Sequence, residues 1–349
     1  MLSVGVIGFG YWGPNIVRNF MATQDVAVNA ICDLNQQELN RARKLYPQIR
    51  VTCDYRDIIK ASDIDIVAVI TPVSTHFELA KAALEQGKHV FVEKPFTRTT
   101  AEAEELIATA KRKNLKIMVD HTFIFTGSVQ KIKELLDDEI LGKLYYFDST
   151  RVSLGKFQPD TNVVWDLATH DFSIIDFVIK DKPVAVTTHG LDHVGSGFEN
   201  LVYIILHFEG NFMAHITASW LSPVKIRSVL IGGEKKMLVW DDLEVDERIK
   251  VYDKGIIDYS SQKNAGKEKD NNAENKDLLH RLQVDYRSGD MISPRVDPTE
   301  ALKIELSHFV ECILQDKNPV NDGESGLRIV KMLEATDMSL KNKGKTIKL

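Results

Sequence analysis

Five short apolar runs dominate the first 120 residues, and an amphipathic stretch follows each of the first four. The runs "SVGVIGFG", "VAVNAICD", "DIDIVAVITP", "HVFVEKP" and "KIMVD" are rich in β-branched residues. Between them, "YWGPNIVRNFMAT", "NQQELNRARKLYP", "STHFELAKAALEQG" and "TTAEAEELIATAKRKN" repeat apolar residues at helical spacing. Strands without polar alternation must be buried on both faces, and helices that link them do the burying. The chain therefore starts as a parallel, doubly wound α/β sheet. Ser74 or Thr75 is the expected cap of the third helix and Gly87 its stop.

The pattern changes after about residue 125. One helix, "SVQKIKELLDDEI", precedes a run of longer strands: "KLYYFDSTRVSL", "PVAVTTHGL", "NLVYIILHFEGNFMAHITASW", "RSVLIGGEKKMLVW" and "RIKVYD". Glu209-Gly210-Asn211 and Gly232-Gly233 fall where hairpin turns are needed. This predicts a second, α+β domain built on a mostly antiparallel sheet. Residues 259–276 are polar and read as a surface loop. Two helices, "PTEALKIELSHFVECILQ" and "ESGLRIVKMLEATDMSLKN", end the chain. The expected division is 1–122, 123–298 and 299–349. No internal repeat is visible.

Composition narrows the class. A formal charge of −6, mixed in sign and without a basic stripe, argues against nucleic acid as a partner. Cys32, Cys53 and Cys312 are far apart and form no CxxC, which fits a reducing compartment and argues against both a disulfide frame and a structural zinc site. No apolar run reaches the roughly 20 residues of a membrane span. The expectation is a soluble, cytoplasmic protein.

Gly8-Phe9-Gly10-Tyr11-Trp12-Gly13 is a GxGxxG that follows a strand and opens a helix. Gly8 permits the tight turn. Gly10 lets main-chain N–H groups, with Tyr11 and Trp12 beside them, approach a pyrophosphate. Gly13 allows close helix–strand packing. Asp33 ends the second strand, where an acid bonds the adenosine ribose; a carboxylate there repels a 2′-phosphate, so NAD is expected over NADP. Glu93-Lys94-Pro95 ends a parallel strand, the edge at which such sheets bind ligands. Pro95 fixes the local backbone, and an X–Pro bond admits the cis form. Thr71 and Pro72, in "TPVSTH", are expected to line the ribose and nicotinamide. His76 either contacts the cofactor or merely occupies the first helical turn.

In "NVVWDLATHDFS", Asp166 and His170 are four apart and share one helix face. The pair fits a structural bond, half a metal site or a proton-handling device. No recognised metal spacing surrounds it, so no metal is expected. Asp166 as a simple helix cap is a further reading. Asp171 is read as structural. Arg151, Gln158 and Asn162, just upstream, are candidate substrate contacts. His189 and His193 lie at a strand end, His207 and His215 flank a turn, and Tyr203, Phe208, Phe212 and Trp220 read as core or interface residues.

Taken in order, "GFGYWG", Asp33, "TPVSTH", "EKP" and "DLATH" give the chain a resemblance to the Gfo/Idh/MocA oxidoreductases along essentially its whole length. The resemblance implies a Rossmann domain followed by an open-faced sheet domain. It also implies dimers or tetramers through the exposed sheet face, and terminal helices that return to the Rossmann domain. It further implies a catalytic set of Lys94, Asp166 and His170, with Glu93 and Lys94 among the residues at the cofactor. "GYWGPN" and "NVVWDLATHD" look most like members that oxidise carbon 3 of a nucleotide sugar such as UDP-N-acetylglucosamine. "VDHTFIF" departs from the pattern, since many members carry an arginine soon after the histidine. Oxidation of a secondary alcohol needs a base, for which a histidine suits neutral pH. A charged lysine stabilises the developing alkoxide. A redox-neutral glycosidase and a non-catalytic NAD-binding sensor are the competing readings; the intact Lys94, Asp166 and His170 oppose the sensor.

Overall fold

The structure is a computed structural model and describes residues 1–155, 157–158, 161–258 and 284–349. The predicted surface loop at 259–276 lies outside the described residues.

Six parallel strands form the first sheet: β1 (Leu2–Ile7), β2 (Val26–Cys32), β3 (Arg50–Thr52), β4 (Ile66–Val69), β5 (His89–Glu93) and β6 (Ile117–Asp120). Their order is β3-β2-β1-β4-β5-β6. The winding reverses between β1 and β4, so the loops after these strands open a crevice at the carboxyl edge. β4 and β6 are buried at every residue, as the apolar runs Ile66–Val69 and Ile117–Val119 require. Helices α1 (Gly13–Met21), α2 (Gln36–Leu45), α3 (Arg56–Ile59), α4 (His76–Glu85) and α5 (Thr100–Lys113) complete the doubly wound layer. β3 and α3 were not legible: three and four residues are too short to show a period. Thr75 occupies the cap position of α4, but its hydroxyl bonds Thr71 Oγ1 (2.7 Å) and the Pro72 carbonyl instead of capping. Gly87, at φ +76°, ends that helix as expected.

Next come α6 (Gly127–Asp137) and α7 (Thr169–Val178), with β7 (Leu144–Leu154), β8 (Ala185–Leu191), β9 (Leu201–His207), β10 (Met213–Ser219), β11 (Leu221–Gly233), β12 (Met237–Asp241), β13 (Ile249–Asp258) and β14 (Val284–Ile292). The last elements are α8 (Ala301–Leu314), α9 (Gly323–Lys341) and β15 (Ile347–Lys348). The second sheet runs β14-β13-β12-β11-β7-β10-β9-β8-β15. All its pairs are antiparallel except β7 with β10. Gly232 and Gly233 close β11 rather than form the turn, which falls on the three residues after them.

One face of this sheet packs under α6, α7 and α9 in a single core that includes Phe147, Phe172, Ile204, Ile231 and Leu333. The other face leaves Tyr146, Tyr203, Met213 and Leu230 exposed. α8 lies on the first domain, where Leu302, Leu306, Phe309 and Val310 join Val4, Val6, Phe91 and Met118. α9 straddles both units: Leu327 and Val330 enter the first core, Ile329, Met332 and Leu333 the second. β15 pairs with β8, so the final residues belong to the second sheet.

Candidate active site

The glycine loop after β1 is built as its sequence demands. Gly8 sits at φ +102°, and a Cβ there would lie 2.1 Å from the Ile70 carbonyl oxygen. A Cβ on Gly13 would lie 2.5 Å from the Gly8 oxygen. Gly10 differs, because nothing lies within 4 Å of its missing Cβ. Two glycines thus serve packing and one keeps space open at the N-terminus of α1, where a pyrophosphate would sit. Asp33 accepts from Phe9 N–H (2.6 Å) and Asn35 N–H (2.7 Å), which fixes its carboxylate beside the loop. Tyr11 is 90% exposed at the loop tip, edge-on to Trp12.

Two expected cofactor contacts are placed elsewhere. His76 is fully buried, its ring between the carbonyls of Pro95 (2.8 Å) and Thr71 (2.7 Å). It ties the loop after β4 to the loop after β5 and has no free ring nitrogen for a ligand. Burial holds its pKa below the usual histidine value. Glu93 is half-buried beside Asp120, with its Oε2 buried and unpartnered among the described residues. Burial first, and then the neighbouring Asp120, push its pKa well above the carboxylate range.

Lys94 follows Glu93 and is joined to Pro95 by a cis peptide bond. Strand alternation turns its ammonium the other way, out of the first domain and into the second. There Nζ donates to the Asp166 carbonyl (2.9 Å) and lies 3.8 Å from Asp166 Oδ1. Asp166 stands in a π-helical turn, Val164–Ala168, that leads into α7. Such turns recur at functional sites because they re-aim side chains. Trp220 Nε1 donates to Asp166 Oδ2 (3.0 Å) and fixes the carboxylate. His170 follows one turn later, its ring 4.7 Å from that of Phe123. Its Nδ1 is buried and unpartnered among the described residues, which leaves Nε2 as the nitrogen facing the crevice. Burial, then the positive charges of Lys94 and Arg151, hold its pKa well below the usual histidine value.

Asn162 is committed to building this turn. Its Oδ1 accepts from Val164 and Trp165 N–H, and its amide donates to Asp337 (3.0 Å) and Glu199 (3.3 Å). A saturated amide has nothing left for a substrate. Arg151 is half committed, with Nε (2.9 Å) and one Nη (3.3 Å) on Asp171. Asp171 also accepts from Ser149 (2.7 Å) and is structural, as read. Gln158 is half-buried in the loop between them. His189 packs against Gly344, and His193 bonds Asn200 (2.8 Å). The sequence reading missed Trp220 as a site residue, and it missed His121, Phe123 and Arg227. Only the departure at "VDHTFIF" pointed at this segment. Among the described residues no three metal-ligating side chains converge.

A dinucleotide groove at the switch point, with a lysine, an aspartate and a histidine brought together beside it, defines a two-domain nucleotide-dependent oxidoreductase. The family models agree: residues 2–121 match the oxidoreductase family's NAD-binding Rossmann fold, and residues 129–239 match the GFO/IDH/MocA C-terminal domain. The chain belongs to the Gfo/Idh/MocA oxidoreductases and binds NAD. An oxidoreductase of Escherichia coli, YdgJ, is 33% identical over 47% of this chain and 46% of its own length. The UDP-N-acetylglucosamine 3-dehydrogenase of Acidithiobacillus ferrooxidans is 28% identical over 54% of this chain and 58% of its own. The chain thus matches about half the length of these relatives. The solved aldose–aldose oxidoreductase of Caulobacter crescentus superposes with a TM-score of 0.80, over 100% of this chain and 99% of that one, at 20% identity. No described helix is long and apolar enough to cross a membrane.

Proposed function

We propose that the protein is an NAD-dependent dehydrogenase for a secondary hydroxyl of a pyranose, with carbon 3 of a nucleotide sugar as the leading substrate. The meeting of Lys94, Asp166 and His170 across the two domains carries this reading. Bound NAD supplies the hydride acceptor; the residues handle the proton. Burial and the surrounding cations disfavour a charged His170, which leaves the imidazole to accept the hydroxyl proton. The Lys94 ammonium stabilises the oxygen as it becomes an alkoxide. Asp166, held by Trp220, sets where that ammonium lies. The A. ferrooxidans relative adds support for the nucleotide sugar, since its name specifies that chemistry.

The test is NADH absorbance from purified protein with NAD and a panel of UDP- and dTDP-hexoses, inositol and glucose 6-phosphate. Steady NADH formation with a nucleotide sugar supports the proposal. A product of altered mass with no net NADH favours the redox-neutral glycosidase. The exposed face bearing Tyr146, Tyr203, Met213 and Leu230 is the proposed contact with a second copy. Light scattering of Leu230→Glu checks it; an unchanged mass rejects that interface.

A further inference from the structure

Arg151 and Arg227 stand directly opposite each other on β7 and β11. Residues so paired project from the same sheet face, where like charges repel. Both guanidinium groups lie against one ring, at 4.6 Å and 5.9 Å from the centroid of Phe123. That ring also contacts His170, so the arginines adjoin the reacting centre.

Among the described residues only part of this charge is answered. Asp171 takes two nitrogens of Arg151; the remaining Nη1 is buried with no hydrogen-bond partner among the described residues. Among the described residues Arg227 has one long carboxylate contact, Asp242 at 3.5 Å, and its side chain is 34% exposed. Both ring nitrogens of His121, two residues before Phe123, are unpartnered as well. Buried donors left unpaired are costly, and a fork of guanidinium N–H groups matches an oxyanion.

We infer that the substrate carries an oxyanion, either a carboxylate on the sugar ring or a phosphate at its anomeric carbon, and that Arg227 binds it beside Phe123 with Arg151 beneath. The inference rests on the hydroxyl-oxidation reading above. It assigns specificity to Arg227, while Lys94 and His170 serve the hydroxyl. A neutral pyranose or an inositol leaves the arginine pair unanswered and is a poor substrate.

The experiment compares initial rates of the purified chain with NAD on N-acetylglucosamine, its 1-phosphate, its UDP conjugate and the UDP-linked uronate. At least one anionic congener is expected to exceed the neutral sugar roughly 10-fold or more in kcat/KM. The phosphate and uronate arms show which oxyanion is read. Arg227→Gln should raise KM for the preferred congener by roughly 10- to 100-fold, with a smaller change in kcat. Arg227→Lys should recover part of the loss, since it keeps the charge without the fork. Thermal unfolding of each variant establishes that it is folded. Equal efficiency on the neutral sugar, or a folded Arg227→Gln that keeps the preference, overturns the inference. Absence of NADH from every congener, with NAD still bound, overturns the underlying reading and this inference with it.

Discussion

His170 keeps its place in the proposed chemistry because its surroundings make it neutral rather than charged. Its acid partner lies not on its own ring but on Trp220, and the cations around it oppose protonation. Replacing His170 or Lys94 by Ala should lower turnover by roughly 100-fold or more, the scale of a lost acid–base group. Titration of bound NAD by fluorescence should show His170→Ala binding it normally. Near-normal turnover in both variants removes the assignment. The pH profile carries a second expectation. A histidine held below its usual pKa of about 6.5 stays a competent base into acid. The acidic limb of kcat/KM should therefore fall below pH 6.5, and a limb above that value assigns the base elsewhere. Lys94, Asp166 and His170 could be singled out through the family resemblance because their motifs are local. Trp220 and Arg227 were not, because they reach the site from positions far along the chain, between β10 and β11 and within β11. His76 admitted two readings from its position in "TPVSTH"; the carbonyls of Thr71 after β4 and Pro95 after β5 take its two ring nitrogens.

The glycine loop and the π-helical turn show how elements, rather than single side chains, define the site. The strand–helix alternation was readable since fully buried strands and amphipathic helices have distinct periods. The π turn was not, as nothing in "NVVWDLATHD" separates it from an α-helix; its cap, Asn162, looked like a substrate ligand until its amide was found saturated. For the glycine loop the two kinds of glycine predict opposite outcomes. Gly10→Ala meets no atom within 4 Å, so the melting temperature should stay within about 2 °C, under 0.5 kcal/mol for a change that touches nothing. Yet its methyl group occupies the space kept for the pyrophosphate, and NAD affinity should fall at least about 10-fold. Gly8→Ala drives a methyl group into the Ile70 carbonyl at positive φ and should lower stability itself. Calorimetry with and without NAD separates them. An unaltered NAD affinity in Gly10→Ala would place the dinucleotide elsewhere.

At the scale of the whole molecule, the C-terminal helices are tied to the carboxyl edge of the first sheet by buried acids. Glu305 of α8 is fully buried near Asp120 and Glu93, and Asn321 donates to it (3.0 Å) and to the Val119 carbonyl (2.6 Å). The sequence placed these helices against the first domain but gave no sign of this junction, whose members come from three distant segments. Burial first, then Asp120, push the Glu305 pKa well above the carboxylate range. The sign follows from linkage. In the unfolded chain the group ionises near pH 4.3, whereas the folded protein keeps it protonated. The folded state thus binds more protons above pH 4.3, and this group's contribution declines as pH rises toward its folded pKa. His121, with its pKa lowered to about 3, and His170 act in the opposite sense: their contribution is present above about pH 6.5 and is lost as pH falls below it. Glu305→Gln keeps the neutral shape and removes the ionisable group. It should raise stability at pH 8 by about 1 kcal/mol or more, at about 1.4 kcal/mol per unit of pKa separation, with the gain vanishing below pH 4.3. Thermal unfolding at pH 8, 6 and 4 measures the trend. A variant less stable than the parent by the same margin at all three values would show instead that Glu305 is held as a carboxylate whose contacts the amide cannot reproduce.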